Sequence, residues 1–529
     1  MRSRLAIALL CTALAAAMLF SRGVWAPDEA RYAEVTREMK AGGTWLVPIL
    51  NGETYTQKPP LFFALIRLFS LGSDSVPEWA AKAPSLLAAL GTLLLIGWLA
   101  QRLAGSATGW MAPLLLGTMG KFAWQSQFGQ IDMVVTFLVV AQIALGLYFA
   151  EGGGRRPVGL VCMAALGFAG VLGKGPVACV LPWLVLLAFL SARGDWPGLR
   201  RLGLPWIALG VVALSALWLT AAGLKAGWDY PESLVLRQTV QRYLDPWHHQ
   251  APWYYFLGIL LTDGLPYSLF LVPLGIALWR AKTWKEPAVL LPLCWIALYL
   301  VFFSLSAGKR SVYILPVYPA MALLLARGAE GWASGEFPLR GFRWVITVLA
   351  SISAAGMVYA VRATPGEFQG FLPWLLAGGA LFFAGSLGAL FLSSRPKAAL
   401  GWIAAGMALL ILVVAVPGVR RLDAVKTPRS FVPSASAALA AGGRMGVFPS
   451  LIPSVNYYIR TVTPVFPKGG EHEASAFLCS HPANLLLVQA ENWRGPVPAH
   501  RLVHRGFIGG GTYEIWGYQE PIAAPGVSP

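Results

Sequence analysis

Residues 131–150 read Ile131-Asp132-Met133-Val134-Val135-Thr136-Phe137-Leu138-Val139-Val140-Ala141-Gln142-Ile143-Ala144-Leu145-Gly146-Leu147-Tyr148-Phe149-Ala150. A single charge, Asp132, stands at the start of a run as long as the roughly 20 helical residues that a hydrocarbon core requires. Such a stretch is a membrane span, and it recurs on both sides. Apolar runs at about 5–21, 82–100, 108–125, 131–150, 158–172, 176–192, 204–223, 253–279, 287–307, 311–327, 344–361, 371–392 and 398–417 predict about 13 transmembrane helices. The composition agrees, with 57% hydrophobic and only 12% charged residues among 529. After Pro417 the runs stop.

The net charge of +17 would fit a nucleic-acid partner if the cations formed a tail or a patch. Instead they punctuate the helices. Short loops on one side hold Arg2/Arg4, Arg102, Arg155/Arg156, Arg193/Arg200/Arg201, Arg280/Lys282/Lys285, Arg327/Arg340/Arg343 and Arg395/Lys397, which the positive-inside rule assigns to the cytoplasm. We therefore expect a lipid bilayer and no nucleic acid as partner. The first run follows Met1-Arg2-Ser3-Arg4, and Ser21-Arg22-Gly23-Val24-Trp25 offers no good small-residue cleavage site, so a retained signal anchor is expected. Five cysteines show no metal-ligand spacing and predict neither a disulfide framework nor a zinc site.

An odd helix count places residues 418–529 outside the cytoplasm, as a soluble domain beside a membrane domain over 1–417. Strand-like runs at 444–449 and 484–488 with a helix-compatible stretch at 434–441 predict a small α/β domain there. Two outward loops are long, 22–81 and 224–252, and long loops often carry function. In the first, Asp28 to Met39 predicts a helix with Tyr32, Val35 and Met39 on one face and charges on the other, lying on the membrane surface. A second amphipathic helix begins at Leu61 after Pro59-Pro60.

Outward cations run against the topological preference, so Arg31, Lys58, Lys174, Lys309 and Arg310 call for an anionic partner, of which phosphate is the natural one. Lys58 precedes Pro59 and Lys174 lies between Gly173 and Gly175, where bare backbone N–H groups could add to an anion cradle. Snorkelling to the interface is the alternative for any one of them. Asp28 and Asp132 lie outward near the membrane boundary, each fit to be a catalytic base or to cap a helix start. The second loop gathers Arg242, His248 and His249 among aromatic residues, and adjacent histidines alone make a weak metal site.

The runs Pro27-Asp28-Glu29-Ala30-Arg31-Tyr32-Ala33-Glu34, Trp45-Leu46-Val47-Pro48-Ile49-Leu50-Asn51-Gly52 and Tyr55-Thr56-Gln57-Lys58-Pro59-Pro60-Leu61 resemble the first periplasmic loop of the bacterial aminoarabinose (lipid A) transferases. These belong to the wider protein O-mannosyltransferase-like group of GT-C glycosyltransferases. Gly129-Gln130-Ile131-Asp132, Gly173-Lys174-Gly175-Pro176 and Lys309-Arg310-Ser311-Val312-Tyr313-Ile314-Leu315-Pro316 extend the resemblance to about residue 330. It implies a polytopic α-helical enzyme of GT-C type in the bacterial inner membrane, moving a sugar from a polyprenyl (undecaprenyl) phosphate donor to a periplasmic acceptor. Lipid A with 4-amino-4-deoxy-L-arabinose is the first candidate, and another glycan or a protein acceptor the alternative. A flippase of lipid-linked sugars is the reading from another class. By the same resemblance Asp28 is the catalytic carboxylate, Asp132 a second essential acid, and Arg31, Tyr32, Tyr55, Lys58 and Tyr313 contacts to the donor phosphate. Lys174, Lys309 and Arg310 join them as outward cations, and Glu29, Gln57, Arg242, His248 and His249 as loop contacts. The chain departs from the family at Gln57, where a glutamate usually stands. A neutral amide is a poor ligand for a dication, so no cofactor is expected, with a divalent metal as the less favoured alternative.

Overall fold

The computed structural model describes residues 2–105, 108–241, 250–496 and 500–518. The central helix is α7 in a series that begins with α1 (Arg2–Leu19), α2 (Asp28–Ala41), α3 (Leu61–Phe69), α4 (Glu78–Ala104), α5 (Met111–Gly117) and α6 (Gly120–Ser126). α7 itself (Ile131–Ala150) is followed by α8 (Arg156–Lys174), α9 (Val177–Ala192), α10 (Trp196–Leu202) and α11 (Leu204–Ala226). α7 packs against α4, α8, α9 and α10. That position explains why it is apolar all round: a helix with neighbours on every side has no face for charge.

Every predicted span is helical, though not always as one piece. Among the described residues eight helices are long and apolar enough to cross a membrane, and nine if Tyr255–Asp263 and Tyr267–Ala281, bent by 110°, form one span. The bend follows from Pro266, which offers no N–H to the helix and disfavours helical geometry at Leu265. The run at 108–125 likewise divides into α5 and α6, because Met119 between them is extended (ψ 126°).

The first long loop folds into the protein. Its turn is the hairpin β1 (Ile49–Leu50) and β2 (Glu53–Thr54). Asn51 and Gly52 both have positive φ (57° and 81°), the geometry that makes Asn-Gly the commonest two-residue hairpin turn. The Glu38 carboxylate accepts the Asn51 and Gly52 N–H groups at 2.7 and 2.8 Å, tying this hairpin to α2. Here the expectation of a helix lying on the membrane surface fails. Glu29 and Glu34 are fully buried along with Tyr32, Val35 and Met39, and neighbouring elements cover the charged face as well as the apolar one. Each buried acid has a partner, as burial requires. Arg37 forks onto Glu34 with two 2.7 Å bonds, although burial still pushes the Glu34 carboxyl up to about 7.

Beyond the last span a π-helical turn (Val414–Gly418) leads into a short helix, Val419–Lys426, and then a mixed sheet in the order β3-β4-β6-β5. β3 (Met445–Phe448) and β4 (Leu485–Val488), the two expected strands, pair in parallel. The antiparallel hairpin of β5 (His500–Ile508) and β6 (Gly511–Tyr518) was not expected from the sequence. This domain seats directly on the first loop. Asp423 accepts the Gly23 N–H at 2.8 Å and the Trp25 indole N–H at 2.9 Å. Tyr458 donates to Glu78 at 2.6 Å, and Asn456 to Asn51 at 2.9 Å.

Candidate active site

Two chain segments 100 residues apart are first locked together by Glu29. Its carboxylate accepts from both terminal Arg22 guanidinium nitrogens, at 2.5 and 3.0 Å, and from the Gly129 N–H at 2.6 Å. Burial alone would push this carboxyl up, but Arg22, then Lys82 and the Gly129 N–H, hold it below the usual range. Only glycine permits the approach, since a Cβ at residue 129 would stand 2.8 Å from the Ala81 carbonyl oxygen. The brace brings the start of α2 against the start of α7, and with them Asp28 and Asp132.

Asp28 does not cap its helix. Its Oδ2 instead accepts from Gln130 Nε2 at 3.1 Å and Arg310 Nη2 at 3.0 Å, and Arg31 Nη1 stands 3.6 Å from Oδ1. Gln130 is itself held, because Gln125 Nε2 donates to its Oε1 at 2.8 Å, which fixes the amide with its N–H side toward the carboxylate. Asp132 is paired with Lys174, whose ammonium also lies 4.8 Å from the centre of the Tyr313 ring. Lys58 and Arg310 are within electrostatic reach of Asp132 as well. Tyr32 sits beside Asp28, Tyr55 and Asp132, and burial, followed by the Asp28 and Asp132 carboxylates, holds its phenol well above the ordinary value, hence protonated. Tyr55 Oη donates to Gln57 Oε1 at 3.3 Å.

The cluster therefore brings together Asp28, Arg31, Tyr32, Tyr55, Lys58, Asp132, Lys174, Arg310 and Tyr313. Two expected features fall elsewhere. Lys174 is the last residue of α8, and the Gly175 N–H is already bonded to the Val171 carbonyl at 3.0 Å, so no bare N–H cradle forms around it; a helix C-terminus presents carbonyls instead. Lys309 is buried and donates to the Ser306 carbonyl of its own loop. Arg242, His248 and His249 lie outside the described residues. Three residues were missed: Gln130, part of a quoted motif but given no role, and Lys121 with Asp263. Lys121 bonds Asp263 at 3.0 Å and Ser311 at 2.9 Å, joining α6 to the bend at 264–266 and to the Arg310 loop.

Beside the charges is a narrow cleft where Asp132, Lys174 and Tyr313 meet Val135, Val139, Leu181 and Phe303. Cations and carboxylates at one end of an apolar slot suit a molecule with a charged head and a hydrocarbon tail.

Fold and site together define the class, a GT-C-type membrane glycosyltransferase architecture with a small extramembrane sheet domain. Residues 1–222 match the family described as dolichyl-phosphate-mannose-protein mannosyltransferase. A solved structure of ArnT from Cupriavidus metallidurans bound to undecaprenyl phosphate superposes with a TM-score of 0.82 at 21% identity, covering 99% of this chain and 98% of that one. Relatives named undecaprenyl phosphate-alpha-4-amino-4-deoxy-L-arabinose arabinosyl transferase are 30% identical, over 68% of this chain, in Pseudomonas paraeruginosa and in Sodalis glossinidius. The matched region spans 66% and 68% of those two proteins, respectively. The chain belongs to this arabinosyl transferase family.

Proposed function

We propose that the protein transfers a sugar from an undecaprenyl-phosphate-linked donor to a periplasmic acceptor, with lipid A as acceptor and 4-amino-4-deoxy-L-arabinose or a related sugar as cargo. The observation that carries this reading is Asp28, poised between Arg310, Arg31 and Gln130 beside the Asp132–Lys174 pair, whose own side chains line an apolar cleft. The hydrocarbon tail takes the cleft and the phosphate lies among Arg31, Lys58, Lys174 and Arg310, with Tyr32, Tyr55 and Tyr313 as hydroxyl donors. Asp28 positions or deprotonates the acceptor oxygen, which attacks the anomeric carbon. As the new C–O bond forms, the bond from that carbon to the phosphate oxygen breaks, and its electron pair leaves with the polyprenyl phosphate. The cations stabilise that growing charge, and the displacement inverts the anomeric carbon. Asp132 keeps Lys174 oriented as the second essential acid.

Inner-membrane location with this site facing the periplasm has two supports. The arginines at 102, 155 and 156 lie at the helix ends opposite the carboxylates, and the C-terminal domain rests on the same loop that carries Asp28. Mass spectrometry of lipid A and surface glycans from cells with and without the gene tests the assignment. The added sugar should vanish without it, and an unchanged glycan profile overturns the reading.

Gln130→Ala should lower turnover about tenfold, the order expected for losing one hydrogen bond to a charged group. Gln125→Ala should move it the same way by less, because Gln125 acts through Gln130. Kinetics at saturating donor decide this, since a changed donor KM with unchanged turnover would place Gln130 in binding instead. We further propose that no resident metal takes part. The neutral Gln57 amide bonds the Tyr55 hydroxyl, and catalysis rests on side-chain cations. Turnover of purified protein should survive exhaustive EDTA treatment; loss restored by zinc or magnesium would reveal a metal site.

A further inference from the structure

At the far end of the same helices lies a second crevice, where α7 ends, α8 begins and α10 closes against both. A twenty-residue helix rises about 30 Å, so this crevice stands one hydrocarbon thickness from Asp132 and Lys174. Phe149, Leu160, Met163 and Leu202 make its apolar floor, and Arg156 and Arg201 stand at its rim. Its empty volume is about 600 Å³ with the mouth included. The rim between them is Gly152-Gly153-Gly154, and a Cβ at Gly152 would lie 3.4 Å from Arg201 Nη1. Gly152 and Gly154 also have positive φ, 88° and 70°. Positive φ is what calls for glycine at these two positions of the rim.

The charges in this crevice are unbalanced. The two acids closest in sequence are committed elsewhere, Glu151 to an ion pair with Arg102 and Asp195 to the Gly198 N–H at 2.9 Å. Arg156 is steadied by donating to the Arg200 carbonyl at 3.3 Å. Among the described residues neither Arg156 nor Arg201 has a carboxylate partner. Two forked cations over an apolar floor match an amphipathic phosphate.

We propose that this crevice is a binding site for the phosphate of an anionic phospholipid, separate from the carboxylate cluster, with the guanidinium groups of Arg156 and Arg201 on the phosphate and the root of the acyl chains over Phe149 and Leu202. This phosphate site lies apart from the transfer site and does not depend on which sugar is moved.

Native mass spectrometry and thermal shift of the full chain in neutral detergent test it with phosphatidylglycerol, uncharged diacylglycerol and inorganic phosphate as probes. Phosphatidylglycerol should remain bound and raise the melting temperature, whereas diacylglycerol should not. The double variant Arg156→Gln/Arg201→Gln should weaken phosphatidylglycerol binding by on the order of tenfold or more. Arg280→Gln/Arg343→Gln, which removes two exposed charges from other elements, should leave it intact. Protection of the wild type but not the double variant by inorganic phosphate alone would keep the anion site and assign it a soluble phosphate. Equal phosphatidylglycerol binding by wild type and double variant, or equal loss in the control pair, overturns the proposal.

Discussion

Asp28→Asn is expected to reduce transfer about a thousandfold, in the range for loss of a positioned general base, while expression, membrane insertion and melting temperature stay near wild type. The carboxamide keeps the shape of the side chain and one acceptor oxygen, so Gln130 or Arg310 can still be met. What disappears is the negative charge that orients and accepts a proton from the acceptor. Stability should change little, because Arg310 is a third exposed and such partly solvated pairs contribute about 1 kcal/mol or less. Transfer assays with matched melting curves separate the outcomes. A variant that turns over normally but melts lower would make Asp28 a structural anchor of the α2–α7 contact.

The Asp132–Lys174 pair should show the second large effect, and a double-mutant cycle reads it. Side chains exposed by only 10% and 17% lose much of their hydration, so removing one partner leaves a poorly solvated charge, at a cost of about 3 kcal/mol. Asp132→Asn and Lys174→Gln should each lower the melting temperature and cut transfer by roughly ten- to a hundredfold. The double variant should regain most of the stability, because two neutral amides can bond each other. It should not regain transfer, because the phosphate has lost a cation. Recovery of both properties together would reduce the pair to a brace between α7 and α8.

The fold was legible wherever the solvent imposes a simple rule. A bilayer demands long apolar helices, so the apolar runs could be placed from their composition, although the run at 253–279 was read as one helix and its 110° bend was missed. Strands β5 and β6 were harder to see. Leu502 is 56% exposed and charges interrupt the alternation of β5, so only the Gly509-Gly510 turn, with φ of 64° and 99°, signalled the hairpin. For α2 the periodicity was sound but the inference of a surface was not. Amphipathicity shows that a helix has two faces; it does not show that the polar one meets water, and here Arg22, Arg37 and backbone N–H groups cover it.

The candidate site was legible as a set of residue types and illegible as a set of pairs. Outward cations and carboxylates stood out against the positive-inside pattern, yet nothing in the sequence matches Arg310 to Asp28 across 282 positions. Lys174 was read for its glycine neighbours, when its place at the end of α8 aims the ammonium at Asp132. Gln130 escaped notice because a neutral amide beside a membrane helix carries no signal until its partners are known.

The central claim, that the carboxylate cluster and apolar cleft together carry out sugar transfer from a lipid phosphate, is tested most directly in proteoliposomes. Purified protein is given an undecaprenyl-phosphate donor labelled in the sugar, together with lipid A. The account predicts labelled lipid A and free undecaprenyl phosphate appearing one for one, both abolished by Asp28→Asn and slowed by Lys58→Ala. Donor that crosses the bilayer intact, with no label on any acceptor, would contradict it and make the protein a carrier of lipid-linked sugar.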